Sequence, residues 1–160
     1  MSRADQFPLL DAERTARWMK FANWDRTYFP MLVGLQVEEV RTDYCRMRLP
    51  FRPELEQPAG VVHGGAISTI LDSVVVPAVG SAYTAEHRYS TVDMHVQFLA
   101  PLVQEDGVAE GWVIKRGRTT VFCEAELVGA SSGRLIARSL LTYNVSAPRA
   151  HSPERGAAQG

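Results

Sequence analysis

One stretch of the sequence decides the fold, and from His63 to Ala82 it reads HGGAISTILDSVVVPAVGSA. Five of its apolar residues recur at offsets of 0, 3, 4, 7 and 11, which is the spacing of one stripe along an α-helix. These residues are Ile67, Ile70, Leu71, Val74 and Ala78. Pro77 lies within the pattern and predicts a kink or an early end, because proline removes one backbone donor from a helix. We therefore expect one long helix in the middle of the chain.

The segments around this helix alternate between apolar and polar residues instead. The alternation covers residues 35–37, 45–49, 92–98, 123–127 and 135–141. It is typical of antiparallel strands with one covered face, separated by turns such as 104–107 and 131–133. A helix with one apolar stripe must bury that stripe against a sheet. The sequence therefore predicts an α+β domain in which an antiparallel sheet wraps around one long central helix.

The sequence divides into three predicted parts. Residues 1–28 form an N-terminal helical extension, with a short helix from Asp11 to Ala22. Residues 29–146 form the folded domain. An apolar connector at Tyr28–Leu32, which Pro30 interrupts, leads into it. Residues 147–160 are rich in proline, glycine and charge and are expected to be a disordered tail.

Composition excludes several functional classes. The chain has 160 residues, 46% of them hydrophobic and 22% charged, and can bury one sizeable core. The net charge of −1 argues against nucleic-acid binding, and no apolar run is long enough to predict a membrane span. Because metal-ligand spacings and glycine-rich nucleotide loops are missing, we expect neither a metal nor a cofactor. Cys45 and Cys123 are predicted to be reduced core residues, and the charged start predicts a cytoplasmic protein.

Two adjacent glycines, Gly64 and Gly65, stand where the central helix begins. The first amides of a helix have no partner within it, and the helix dipole adds partial positive charge at this end. A bare helix tip can therefore polarise a carbonyl or hold an oxyanion, which would make both glycines substrate contacts. An ordinary tight turn before a helix is the alternative explanation.

Asp72 and Gly65 lie on the helix face opposite the apolar stripe, at about 140° and about 160° from Ile67. That face carries little charge, so we expect another subunit to cover it and to leave Asp72 desolvated and reactive. A partly exposed helical aspartate is the alternative. Seven residues separate Gly65 from Asp72, which is roughly 10 Å along the axis. Two antiparallel helices in a homodimer would bring each aspartate to the other's helix tip.

These residues resemble a known family. The pattern Gln57…Gly60…His63-Gly64-Gly65…Asp72 is similar to that of the hotdog-fold acyl-CoA thioesterases, and specifically to their PaaI-like (phenylacetyl-CoA thioesterase type) branch. The resemblance covers roughly residues 29–145. It includes the flanking runs Phe29-Pro30 to Gly34-Leu35, Thr91 to Pro101, and Lys115 to Thr119.

The resemblance implies a role for each site residue. Gly65 matches the glycine whose backbone N–H polarises the thioester carbonyl, and Asp72 matches the carboxylate that acts as nucleophile or as general base. His63 matches the histidine that shapes the loop and helps to hold the thioester. Gln57 stands where many members have asparagine and would orient the water or the thioester. Thr91 falls one residue away from the position at which some members have a serine or threonine that helps to align water, and it would have that role here.

Two arginines are candidates for substrate binding. Arg116 and Arg118, with Lys115, form the densest basic cluster in the folded domain and would recognise the phosphates of coenzyme A. A solvated turn is the alternative. Four aromatic residues close to the N-terminal helix could cover one end of an acyl site. They are Trp18, Trp24, Tyr28 and Phe29.

Together with these residues, the resemblance implies an enzyme that hydrolyses an acyl-CoA thioester to a free acid and coenzyme A. A thioester needs only a polarising amide and one carboxylate, and the GxSxG motif of α/β-hydrolase esterases is missing. The expected partners are acyl-CoA and a second copy of the chain, as a homodimer or a dimer of dimers. Two alternatives stay open: a hotdog hydratase or dehydratase, and a non-catalytic acyl-CoA-binding module.

Overall fold

The computed structural model describes residues 2–147 of the chain. The predicted tail, apart from Ala147, lies outside these residues. Three helices precede or cross the sheet: α1 (Ala12–Met19), α2 (Phe29–Val33) and α3 (Gly64–Gly80). The strands are β1 (Gln36–Arg41), β2 (Tyr44–Leu49), β3 (Glu56–Gln57), β4 (Val61–Val62), β5 (Arg88–Phe98), β6 (Gly107–Arg116), β7 (Thr120–Gly129) and β8 (Leu135–Ser146). Short 3-10 turns occur at Arg3–Gln6 and Pro53–Leu55.

Six strands form one antiparallel sheet in the order β1-β2-β6-β7-β8-β5. The remaining two, β3 and β4, pair with each other as a small hairpin immediately before α3. The sheet lies around the long central helix, which is the hotdog fold, and the predicted α+β class is confirmed. The sequence did not predict the small hairpin, because strands of two residues carry no readable periodicity.

Helix α3 is the centre of the core. All five residues of the predicted stripe are buried, at most 4% exposed. The helix also buries Val75 and Val79 outside that stripe, so more of its surface is covered than a single stripe implies. Gly111 of β6 allows this packing, because a Cβ atom there would lie 2.8 Å from a methyl group of Val74.

Proline at position 77 does not end α3, which continues to Gly80. The helix then closes with a hydrogen bond from the Ser81 N–H to the Pro77 carbonyl, 2.8 Å long. Proline removes its own donor but leaves its carbonyl free to accept, so the last turn can still form. The observed bounds are two residues shorter at the C-terminal end than the predicted segment.

Two predictions for the N-terminal part need correction. The first helix ends at Met19 rather than Ala22, because the chain turns and Ala22 adopts a left-handed φ of 63°. The expected connector at Tyr28–Leu32 is instead the short helix α2, in which Pro30 occupies the first turn. A first-turn proline loses an N–H that has no helical partner in any case. Gly34, with a φ of 89°, ends this helix.

The N-terminal extension packs on the domain rather than extending from it. Trp18 lies against Gly80 at the end of α3, and its ring meets Tyr89 edge-on at 5.8 Å. Arg14 and Arg17 donate hydrogen bonds to backbone carbonyls of the loop between α3 and β5, each 3.0 Å long. These contacts fix α1 beside the C-terminal end of the central helix.

Both cysteines are buried and unpaired, as predicted. Burial raises the pKa of the Cys123 thiol to about 12, so it stays protonated at neutral pH. Across residues 2–147, no helix has both the length and the apolar character needed to cross a membrane.

We predict that Gly80→Ala destabilises the protein by about 1–3 kcal/mol, the range for overpacking. The added Cβ would lie 2.0 Å from Cζ2 of Trp18. In a Trp18→Ala background the same change should be neutral or slightly stabilising, because alanine favours helix more than glycine does. Urea unfolding of the four proteins in this double-mutant cycle measures the difference. An equal loss of unfolding free energy in both backgrounds would contradict the contact between position 80 and Trp18.

Candidate active site

The carboxylate of Asp72 is held by two hydroxyl groups. Its Oδ1 accepts a hydrogen bond of 2.8 Å from the Thr91 hydroxyl and one of 2.6 Å from the Tyr143 hydroxyl. The Tyr143 hydroxyl also lies 2.8 Å from the Asp72 backbone carbonyl oxygen. Thr91 on β5 and Tyr143 on β8 are register partners, so the sheet itself brings the two donors together above α3.

This arrangement distinguishes the two carboxylate oxygens. Both hydroxyl bonds go to Oδ1, and within residues 2–147 no donor bonds to Oδ2. Oδ2 is therefore the oxygen available to water or to a ligand. Burial, together with the neighbouring Asp72 carboxylate, raises the pKa of Tyr143 above its usual range, so its hydroxyl remains a donor.

Asp72 lies at a cleft of about 480 Å³ on the surface of the domain. The cleft has apolar walls from the N-terminal segment, from α3 and from β5, and hydroxyl groups close to the carboxylate. Its lining residues are Phe21, Phe29, Pro30, Ser68, Thr69, Asp72, Ser73, Val76, Thr91 and Met94. Of the predicted catalytic residues, Asp72 and Thr91 share this cleft.

The tip of α3 is capped, which differs from the bare tip that the sequence suggested. His63 is the N-cap residue, and its Nδ1 accepts a 2.8 Å hydrogen bond from the Gly65 N–H. The Ala66 N–H donates to the His63 carbonyl. The Gly64 N–H has no hydrogen-bond partner among the described residues. The amide expected to polarise a carbonyl is thus bonded to a histidine in the same chain.

A second cleft, of about 360 Å³, lies at this helix tip. Gln57 and Gly64 line it, with apolar side chains from the end of β5 and the loop that follows. One of them, Phe98, comes so close to Gly64 that a Cβ atom there would lie 3.3 Å from its ring. A single chain therefore does not unite the predicted site residues. Asp72 and Thr91 lie at one cleft, and Gln57 and Gly64 at the other.

Arg116 and Arg118 have different surroundings. The Arg116 guanidinium is paired with Asp43 and donates 3.0 Å hydrogen bonds to the Tyr83 hydroxyl and the Val79 carbonyl. These contacts tie β6 to the end of α3, so Arg116 has a structural role that the sequence did not indicate. Arg118 is exposed in the turn between β6 and β7 and makes no ion pair within residues 2–147.

Tyr143 is the site residue that sequence reasoning missed. It continues the alternation of the last predicted strand, which places it on the same side of β8 as Leu141. This parity could have assigned it to the helix-facing side. Its contact with Asp72 depends on the pairing of β8 with β5 and on the depth of α3, and neither can be read from the sequence. Among residues 2–147, no group of three or more His, Cys, Asp or Glu side chains could hold a metal ion.

Comparison with known proteins agrees with this fold. Residues 59–136 match the model of the thioesterase superfamily. Acyl-coenzyme A thioesterase 13 from Homo sapiens is 30% identical over 102 residues, which are 63% of this chain and 71% of that protein.

Solved structures show the same architecture. A thioesterase family protein from Silicibacter pomeroyi is 26% identical, with a TM-score of 0.75 over 83% of this chain and 98% of that chain. Zebra fish thioesterase superfamily member 2 shares the fold at 20% identity, with a TM-score of 0.71 over 85% of this chain and 97% of that one.

The fold and the relatives define the class of protein as a thioester hydrolase of the hotdog type. The chain belongs to the thioesterase superfamily.

We predict that His63→Ala lowers the free energy of unfolding by about 0.5–2 kcal/mol, the usual range for loss of an N-cap. The Gly65 N–H then loses its acceptor and exchanges its hydrogen faster. His63→Asn, whose side-chain oxygen can cap the helix, is the matched control and should keep most of the stability. Urea unfolding and hydrogen exchange at Gly65 provide the measurements. Unchanged exchange at Gly65 in the alanine variant would show that this hydrogen bond is not formed in solution.

Proposed function

We propose that this protein hydrolyses acyl-CoA thioesters to a free acid and coenzyme A. The observation that carries the proposal is the Asp72 carboxylate, which two hydroxyl groups orient at an apolar cleft. The similarity to a relative named acyl-coenzyme A thioesterase supports the substrate class. An apolar wall beside a fixed carboxylate suits a substrate that has an apolar acyl chain and an electrophilic carbonyl carbon.

In the proposed reaction, Oδ2 of Asp72 acts either as a general base or as a nucleophile. As a general base, it takes a proton from water while the water oxygen attacks the carbonyl carbon. As a nucleophile, it attacks that carbon itself, and water later cleaves the mixed anhydride. In both routes the C–S bond breaks and coenzyme A leaves as a thiolate that takes up a proton. Thr91 and Tyr143 keep Oδ1 bonded, so that Oδ2 is presented to the substrate.

The helix tip would stabilise the negative charge that develops on the carbonyl oxygen. We propose that this oxygen replaces His63 Nδ1 as the acceptor of the Gly65 N–H, and that the free Gly64 N–H lies beside it. The displaced imidazole can then contact the thioester, which is the role that the family resemblance gives to His63. Gln57 lines the same cleft and would orient the thioester or the water.

The two clefts would unite in a homodimer, and β5 supports this arrangement. This strand of eleven residues lies at an edge of the sheet, with Val92 65% exposed and Phe98 55% exposed. A long, exposed edge strand is a template for pairing with another strand, because its outer N–H and C=O groups lack partners. Thr91 contacts Asp72 near one end of β5, and Phe98 lies against Gly64 at the other.

Antiparallel pairing of β5 with its copy would therefore bring the Asp72 end of one chain to the helix-tip end of its partner. Each composite site would then contain a carboxylate from one subunit and amides from the other. A single chain cannot supply both, since Gly65 and Asp72 lie roughly 10 Å apart along the same helix.

We propose that Arg118 binds the phosphates of coenzyme A. It is exposed, and the neighbouring Thr119 carbonyl accepts a hydrogen bond from the Val145 N–H. This bond places the turn at the Tyr143 end of β8, near the Asp72 cleft. Arg116, which contacts Asp43 and α3, would position the turn rather than contact the phosphates.

We expect Asp72→Asn to lower kcat for acyl-CoA hydrolysis by roughly 10²–10⁴-fold while leaving the fold intact, because the amide cannot act as base or nucleophile. Release of free thiol from a panel of acyl-CoA substrates measures the effect. Glu86→Gln, which removes an exposed carboxylate in the loop between α3 and β5, outside both clefts and the β5 edge, is the matched control and should retain activity.

The same panel tests the alternatives. An acyl-CoA hydratase would change unsaturated acyl groups without releasing thiol, and a binding module would change none. Near-normal thiol release by the Asp72→Asn protein would exclude the proposed mechanism.

We predict that two inactive variants restore activity when they form mixed dimers. Asp72→Asn removes the carboxylate, and Gly65→Pro removes the amide in the first turn of α3, where the lost N–H breaks no intrahelical bond. A Cβ atom at position 65 would lie 2.9 Å from His63 Nδ1, so the imidazole has to shift in this variant. With random pairing, half of the dimers are mixed and each contains one intact composite site. The co-expressed proteins should therefore recover about a quarter of the wild-type activity. Mixed dimers that form but stay inactive would contradict shared sites, and a monomeric active protein would contradict the dimer.

A further inference from the structure

We infer that the segment from Phe21 to Pro30 forms the acyl-side wall of the active site, and that Phe21 and Phe29 set the largest acyl group that the enzyme accepts. The inference rests on the proposed function and adds a specificity determinant to it. The ligand class is the apolar acyl group of a thioester. Of the four aromatic residues that the sequence suggested for this purpose, only Phe29 lines the Asp72 cleft, and Phe21 joins it.

The cleft has apolar walls from two parts of the chain. Phe21, Phe29 and Pro30 contribute one side from the N-terminal segment, and Val76 and Met94 contribute the other from α3 and β5. The volume of about 480 Å³ lies within the range of small-molecule sites. Aromatic and thioether side chains favour contact with an apolar chain over contact with water. A chain bonded to a carbonyl carbon at Asp72 would therefore extend between these two sides.

The wall is exposed where a ligand would cover it. Phe29 is 60% exposed although it is large and apolar, and it lines the same cleft as the Asp72 carboxylate, whose Oδ2 has no hydrogen-bond partner among residues 2–147. An exposed apolar side chain that lines a cleft together with other apolar side chains is a candidate contact for an apolar ligand. Leu32, one turn further along α2, is also exposed but does not line the cleft.

The segment that carries the wall is fixed at both ends. On the N-terminal side, Trp18 packs against Gly80, as described above. On the C-terminal side, Arg52 donates 2.9 Å hydrogen bonds to the carbonyls of Leu32 and Val33 at the end of α2. A wall held in this way can set a size limit, because it does not yield when a longer ligand presses on it.

Aromatic contacts brace the residues between these anchors. Phe21 meets Trp24 edge-on at 5.0 Å, and Trp24 meets Tyr28 edge-on at 5.4 Å. Ala22, with its left-handed φ of 63°, turns the chain directly after Phe21. Such a conformation is unfavourable for a residue with a Cβ atom and persists only where the surroundings require it. The turn therefore fixes where Phe21 stands relative to the cleft.

The test compares acyl-chain selectivity in two truncation variants. Phe21→Ala and Phe29→Ala are assayed by thiol release with a series of straight-chain acyl-CoA substrates from short to long. We expect the ratio of kcat/KM for the longest chains to that for the shortest to rise about tenfold or more, as the removed ring makes room for additional methylene groups. Leu32→Ala removes a similar exposed apolar side chain outside the cleft, and its selectivity should equal that of the wild type.

A binding measurement keeps this inference separate from the proposed function. The same truncations are placed in the Asp72→Asn background, and calorimetric titration with the acyl-CoA series gives Kd for each chain length. A shift of the preferred chain length in Phe21→Ala or Phe29→Ala supports the wall, whether or not the wild type hydrolyses these substrates.

The possible failures are distinguishable. An unchanged profile in both assays, in variants that remain folded, overturns the wall while leaving the proposed function intact. Since Phe29 is largely exposed, its truncation should not prevent folding. A wild type that releases no thiol from any acyl-CoA overturns the proposed function. The titrations then show independently whether Phe21 and Phe29 limit the length of the bound acyl chain.

Discussion

The structure depends on close packing of the central helix α3 against the antiparallel sheet. Gly111 permits the approach of Val74, and α3 contacts all six strands of the large sheet. This burial positions Asp72, because a helix fixed by its apolar side has no freedom to rotate its polar side. The Asp72 carboxylate is thereby held within hydrogen-bonding distance of the Thr91 and Tyr143 hydroxyl groups on the sheet. The position of Asp72 is thus a consequence of how the core packs, because α3 and not a loop carries this residue.

Among the described residues, hydrogen bonds and not ion pairs hold the Asp72 carboxylate. Two hydroxyl donors from neighbouring strands bond to one oxygen of Asp72, while the other oxygen has no partner in the described chain. The arginines of the domain are used elsewhere, as in the pair of Arg116 with Asp43. Hydroxyl groups orient a carboxylate without neutralising its charge, which is the condition that a base or nucleophile needs.

In the proposed mechanism the capped helix tip would serve both stability and chemistry. A helix end left without partners is unfavourable, and His63 satisfies the Gly65 amide in the free protein. A carbonyl oxygen that gains negative charge in a transition state is such an acceptor. Exchange of the histidine nitrogen for this oxygen would favour the transition state over the ground state, since the imidazole competes better with an uncharged carbonyl.

The sequence by itself determined the central helix, the antiparallel strands around it and the residue types that point to thioester hydrolysis. These features are local, because periodicity and the glycine pair at Gly64 and Gly65 are encoded by neighbouring residues. Only the tertiary structure decided that Tyr143 bonds to Asp72, that His63 caps Gly65 and that Arg116 is tied to Asp43. Two of these contacts join residues far apart in the chain, and the third depends on the exact turn before α3. Sequence patterns report the period of an element but not the depth and register at which elements meet, and those distances assign each polar side chain its partner.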